Sequence, residues 1–198
     1  MRDWIKYTGI IAALLLSHAA SAEVTLCDRL ATHPDDPDRN TAGLEREEID
    51  FAAAEQACRA AVADDALRAR SQYHLARVLY YSGKVDESMQ HLRLAADAGY
   101  RQAIFVLGYI LADGKVQHDD CRAGELFLRG IALEHPWSGA HFVKKALDGR
   151  FAKCGFASGD AELERAMRLA EDHVTLTASA GRIEKLRARL NERRAGKP

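Results

Sequence analysis

From Glu47 onward the apolar side chains return every third or fourth residue, and no window alternates with period two. The stretch EEIDFAAAEQACRAAVA is alanine-rich and free of helix breakers. DALRARSQYHLARVLYY then sets Leu67, Leu75, Val78 and Leu79 at helical spacing and stops at Ser82-Gly83. VDESMQHLRLAADA stops at Gly99, YRQAIFVLGYILAD at Gly114, and DDCRAGELFLRGIALEH before Pro136. Each predicted helix is about 12–17 residues and the gaps between them are short. The pattern predicts an all-α chain built from antiparallel hairpins. Ahead of it, THPDDPDRNTAG (32–43) is proline, aspartate and glycine punctuation and reads as a loop.

The helices repeat. Leu75-Ala76 returns as Leu107-Gly108, 32 residues on, and Gly83 returns as Gly114, 31 on. Two helices per period of that length predict a solenoid rather than a single bundle. Small residues let paired helices approach closely. Ala76 and Gly108 are therefore expected where the second helix of each hairpin crosses, with Ala95-Ala96 answering from that helix. Gly99 is expected to end its helix in the left-handed conformation.

Ala103, Leu107-Gly108, Leu111, Gly114, Val116, Asp119 and Ala123, preceded by Ala95-Ala96 and Gly99, resemble the Sel1-like subclass of tetratricopeptide repeats. The spacing between glycine and valine is one residue shorter than usual there. His91 stands where the family often has tryptophan, and YHLARVLYYSGKVDES looks like a plain tetratricopeptide repeat. The resemblance covers about 70–80 residues well. EHPWSGAHFVKKALDG keeps Ala140 and Gly149 but puts Lys144-Lys145 in the Leu-Gly position, so it reads as a degenerate third hairpin. DAELERAMRLAEDHV is its second helix, and GRIEKLRARLNERR offers Ile183, Leu186 and Leu190 as one capping stripe. The expected fold is a short α-solenoid of helix hairpins with disulfide staples.

The N-terminus supplies compartment. Arg2 and Lys6, the apolar run IIAALLL (10–16) and Ala20 and Ala22 form the parts of a secretory signal peptide, with cleavage expected after Ala22. The run is far short of the ~20 apolar residues that span a bilayer, so no stable membrane anchor is expected. Leu26 before Cys27 is too bulky for a lipoprotein signal. The expected divisions are a signal peptide (1–22), an N-terminal loop segment (23–46), the repeat domain (47–178) and a basic capping helix and tail (179–198). Four cysteines, Cys27, Cys58, Cys121 and Cys154, allow three pairings. Cys27–Cys58 with Cys121–Cys154 is favoured because each bridge then ties one helical hairpin to itself. The expected product is a periplasmic or secreted protein.

Candidate chemistry is sparse. Residues 23–198 hold seven histidines, at 33, 74, 91, 118, 135, 141 and 173, without H-E-x-x-H or zinc-finger spacing. The cluster HDDC, His118 to Cys121, needs a free thiolate, whereas Cys121 is expected to be oxidised. Nucleophile-elbow, S-x-x-K, P-loop and dinucleotide motifs are absent. Asp35-Asp36, Asp64-Asp65 and Asp119-Asp120 suit caps and loops better than a catalytic dyad. No catalysis, cofactor or metal is expected. Charge is uneven: residues 179–198 carry net +5 and residues 23–178 net −7. The basic end reads as the solvated face of a capping helix, with an acidic partner or lipid surface as the alternative, and nucleic acid is not an expected partner.

The family resemblance implies a scaffold whose first helices line a concave groove. By register, Tyr73, Arg77 and Tyr81 of one hairpin and Phe105 and Tyr109 of the next face that groove, residue types common at interfaces. The implied function is capture of a protein or peptide partner by a monomer. Two rivals stand beside it. One is a Sel1-like binder or weak hydrolase of cell-wall-derived or β-lactam-type ligands. The other is a structural or regulatory subunit of an envelope machine.

Overall fold

The computed structural model describes residues 23–64, 69–114, 117–173 and 177–196. The signal-peptide segment, Asp65 and Val116 lie outside the described residues. The described residues are helical and contain no strand. In chain order they form α1 (Leu26–Ala31), a 3₁₀ turn (Arg46–Glu48), α2 (Phe51–Asp64), α3 (Ala69–Tyr81) and α4 (Val85–Asp97). There follow α5 (Arg101–Asp113), α6 (Asp120–Ala132), α7 (Pro136–Leu147), α8 (Asp160–His173) and α9 (Thr177–Arg194).

Packing follows the predicted repeat. α3 pairs chiefly with α4, α5 with α6 and α7 with α8, and successive hairpins stack through α4–α5 and α6–α7. The small residues sit at the crossings. Ser88 on α4 donates 2.7 Å to the carbonyl of Ala76, and a Cβ on Gly108 would meet the Phe127 ring of α6 at 3.0 Å. In the third hairpin the crossing has moved. Lys145, in the old Leu-Gly position, is buried and reaches back to Asp113 and the Ala112 carbonyl at the end of α5. Gly139 makes the close approach instead, its missing Cβ pointing at the Ala166 carbonyl oxygen 2.1 Å away.

Helix ends are set by left-handed residues. Gly99 has φ +93°, and the amides of Gly99 and Tyr100 close back onto Ala96 and Ala95. The junction between the second and third hairpins uses the same double closure, with Glu134 and His135 bonding Ile131 and Gly130. There the left-handed slot is held by Glu134 at φ 56°, a side chain where glycine would be unstrained.

Three features differ from the sequence expectation. The segment 23–46 includes a real helix, α1, closed by a capping box in which Thr25 accepts from the Asp28 amide and Asp28 accepts from the Thr25 amide. α1 and α2 pack on α3 around a second, smaller core of Cys27, Cys58, Leu75, Val78 and Leu79. The disulfides pair as favoured, Cys27–Cys58 and Cys121–Cys154. The second does not tie a hairpin to itself, however. It joins α6 to the connection after α7, stapling neighbouring hairpins together, because that long connection folds back beside the start of α6.

At the far end α9 covers the stack. Ile183, Leu186 and Leu190 are buried in the main core. The basic face is neutralised by neighbouring helices: Arg187 binds Glu164 and Glu171, Arg189 binds Asp148, and Arg193 and Arg194 pair with Asp160 and Glu164.

Candidate binding cleft

The first helices of the three hairpins, α3, α5 and α7, turn one face each toward a single cleft of about 430 Å³. That is a ligand-sized hollow. All five residues expected from register line it: Tyr73, Arg77 and Tyr81 from α3, and Phe105 and Tyr109 from α5. They do so at very different depths. Tyr109 is 45% exposed, whereas Tyr73 is 2% and Arg77 6% exposed, so those two form the wall from inside the core.

Arg77 is held by backbone rather than by an acid. Its guanidinium donates to the carbonyls of Ala31 (3.0 Å), Thr32 (2.9 Å) and Leu44 (2.7 Å), and lies 5.3 Å from the centre of the Tyr81 ring. This pins the segment after α1 across α3. The same segment is fastened to α5, where the Tyr100 hydroxyl donates 2.6 Å to Asp36 and Arg101 grips Asp38. Burial pushes the Asp36 carboxyl above its ordinary value, and burial beside Asp36 pushes the Tyr100 hydroxyl up. His33 and Asp35 of the fastened segment then reach the mouth of the cleft.

The opposite wall was not expected from sequence. Trp137 and His141 of α7 and Arg182 of α9 line it. His141 stands edge-on to Phe105 (5.2 Å) and Tyr109 (5.4 Å), while Phe105 stacks on His135 at 4.6 Å. Burial, with the cations of Lys145, Lys144 and Arg182 adding to it against Asp113, lowers the His141 imidazole to about 4. It is neutral near pH 7. A signal for this wall was present: Trp137 and His141 are four residues apart on a first helix, the same spacing as Phe105 and Tyr109. The Lys144-Lys145 departure concealed it.

Two histidine relays have the residue types of hydrolytic sites, and of their members Gln102 alone lines the cleft. Asp28, His74 and Thr32 form one, with His74 3.3 Å from Asp28 and 3.4 Å from the Thr32 hydroxyl. Gln102, His135 and Ser138 form the other, at 2.8 and 3.3 Å. Asp28, His74, Thr32, His135 and Ser138 are all fully buried, and Thr32 already donates to the Asp28 carbonyl. Neither hydroxyl meets solvent, so both relays act as internal fasteners. In the HDDC cluster His118 pairs with Asp120 and Arg150, and Cys121 is in its disulfide. Among the described residues no group of three or more histidine, cysteine or acidic side chains is placed to hold a metal. None of the described helices is long and apolar enough to cross a membrane.

No protein-family model and no curated protein matches the sequence. A crystal structure of a Sel1 repeat protein from Oxalobacter formigenes superposes with a TM-score of 0.51 at 20% identity, covering 64% of this chain and 94% of that one. The chain has the Sel1-repeat fold. The hairpins supply the cleft's first-helix faces, while the 32–44 segment and α9 contribute further lining residues.

Proposed function

We propose that this Sel1-fold chain is a non-catalytic scaffold that captures a segment of a protein or peptide partner in the cleft formed by α3, α5 and α7. The observation that carries the reading is convergence: aromatic or cationic side chains from three successive repeats, spaced four apart on each helix, meet at one hollow. The hollow is mostly apolar with a few polar groups, the composition of a recognition site. Its walls are braced by buried bonds, so little order is lost when a partner docks. The burial of both histidine relays supports the non-catalytic part. An oxidising compartment, periplasmic or secreted, fits the two disulfides.

The test is selection of binders from a random displayed-peptide library, followed by counter-screening against a Tyr109→Ala/Trp137→Ala variant. Tyr109 is exposed and Trp137 packs half-buried at the edge of the core, so circular dichroism first checks that the variant stays folded. Binding is expected to weaken at least about tenfold. Clones that bind wild type and variant equally place recognition on another surface and refute the proposal.

A further inference from the structure

We infer that Cys121–Cys154 is a thiol–disulfide exchange site: a dithiol protein of the C-x-x-C oxidoreductase class attacks Cys154, and Cys121 is the sulfur that leaves. The inference is independent of what the cleft binds.

The two bridges lie in opposite surroundings. Cys27 and Cys58 are 1% and 0% exposed, inside the smaller core with Leu75, Val78 and Leu79. A dithiol reaches them only after α1 and α2 part from α3. Cys121 and Cys154 are half-buried. Cys154 stands in the irregular connection 148–159, between exposed Lys153 and Gly155, and a Cβ on Gly155 would meet nothing within 4 Å. The approach beside Cys154 is open, and the Lys153 ammonium, next in the chain, attracts a thiolate.

Cys121 is the second residue of α6, just inside the N-cap Asp119. A thiolate there faces the positive end of the helix dipole, which favours the charged form and makes it the better leaving group. The two neighbouring acids are engaged: Asp119 accepts from the Arg122 amide, and Asp120 accepts from Arg150 at 2.9 Å. Cys154 lies outside the helices. Attack therefore falls on Cys154. The partner's thiolate bonds to the Cys154 Sγ as the Cys121–Cys154 bond breaks, and the electron pair leaves on Cys121. The partner's second thiolate then displaces Cys154 and closes the partner's own disulfide. Two electrons and two protons pass from the dithiol to this chain, and the partner leaves oxidised.

Opening the bridge does not by itself release the connection. Phe151 is buried and stacks on Phe142 at 5.3 Å, Phe156 meets Phe151 edge-on at 5.3 Å, and Gly124 of α6 leaves the room that the Phe156 ring occupies. Arg150 keeps its ion pair with Asp120. A bond that is reachable, and whose loss leaves both sides in place, can open and close in the folded chain. What changes is the tightness of the third hairpin, because the ring closed by Cys121 and Cys154 contains α7, with Trp137 and His141.

The experiment treats the disulfide-intact chain with dithiothreitol without denaturant, blocks free thiols with N-ethylmaleimide and maps them by peptide mass spectrometry. Cys121 and Cys154 are expected to open at least about tenfold faster than Cys27 and Cys58. Amide-resolved NMR of the chain with that one bridge open should keep native dispersion in α3 to α5, with shifts confined to α6, α7 and the connection. Reoxidation should restore the starting spectrum. A C-x-x-C oxidoreductase whose resolving cysteine is replaced by serine should be trapped as a mixed disulfide on Cys154, with Cys121 free. Equal rates at the two bridges, or no opening at either, overturn the exchange site. Trapping on Cys121 overturns the assignment of the leaving sulfur. Reaction with dithiothreitol but no trapping overturns the protein partner in favour of a small thiol. Loss of dispersion on opening overturns reversible exchange and makes the bridge a fixed staple.

Discussion

Gly139→Ala tests whether close helix approach, rather than amino-acid preference, builds the stack. An added Cβ would sit 2.1 Å from the Ala166 carbonyl oxygen and 3.1 Å from its carbon, both backbone atoms of α8 that no rotamer change can move. Restoring ordinary contact requires α7 and α8 to separate by about 1 Å. Their interface includes Phe142, Val143, Leu163, Met167 and Ala170, all fully buried. A gap of that size forfeits a quarter to a half of each contact well. Over a few tens of atom pairs at ~0.1–0.2 kcal/mol, this amounts to about 3 kcal/mol. Alanine returns about 1 kcal/mol through helix propensity. The net loss is about 2 kcal/mol, or roughly 4–8 °C in melting temperature for a chain of this size. Gly181→Ala on α9 is the internal control, since nothing lies within 4 Å of its added Cβ. It should stabilise by about 0.5–1 kcal/mol. Thermal and urea denaturation followed by circular dichroism reads both. A Gly139→Ala protein as stable as wild type, or indistinguishable from Gly181→Ala, would refute the argument.

The other predictions use the same reference chain. Glu134→Gly should stabilise it by about 0.5–1 kcal/mol in urea melts, because glycine relieves a left-handed φ of 56° and gives back part of the gain as chain entropy. Cys121→Ser/Cys154→Ser removes a cross-link of sequence separation 33 and should cost about 3–4 kcal/mol by calorimetry, with hydrogen exchange rising first where the third hairpin meets α6. Burial holds His135 down to about 3 and His141 to about 4, against an ordinary 6.5. The unfolded chain therefore takes up protons first as pH falls, and stability declines from pH 6.5 toward 4 by up to about 1.4 kcal/mol per pH unit per histidine. His141→Gln should remove one histidine's share of that slope. Asp28, whose neighbours His74, Arg70 and the Thr25 amide hold its carboxyl below the ordinary 3.8 despite burial, adds a further loss as pH falls below 3.8. An unchanged acid slope in His141→Gln would contradict a neutral, buried imidazole.

Local pattern carried the architecture because its signals are local. Apolar spacing set the helices, glycine at Gly83 and Gly99 set their ends, and the recurrence of Leu75-Ala76 as Leu107-Gly108 set the stacking period. Register on the first helices was enough to bring Tyr73, Arg77, Tyr81, Phe105 and Tyr109 to one cleft. Where a contact crosses elements, sequence gave no warning. α1 is short, and its Thr25–Asp28 box stabilises a helix that needs α2, α3 and a disulfide to persist. Glu134 holds a glycine's conformation because the hairpin stack on both sides dictates the chain path there.

Side-chain depth and charge pairing belong wholly to the tertiary structure. Tyr73 and Tyr109 are the same residue type at adjacent repeats, yet one is sealed in the core and the other open to solvent, because Tyr73 packs against Tyr100, whose hydroxyl fastens the 32–44 segment. The arginines of α9 looked alike in the chain; their acidic partners on α8 and around Asp148 claim four of them and leave Arg182 to the cleft. Periodicity in a sequence determines which residues share a helix face. Only the meeting of faces decides which of them are buried, which are paired and which are left to bind.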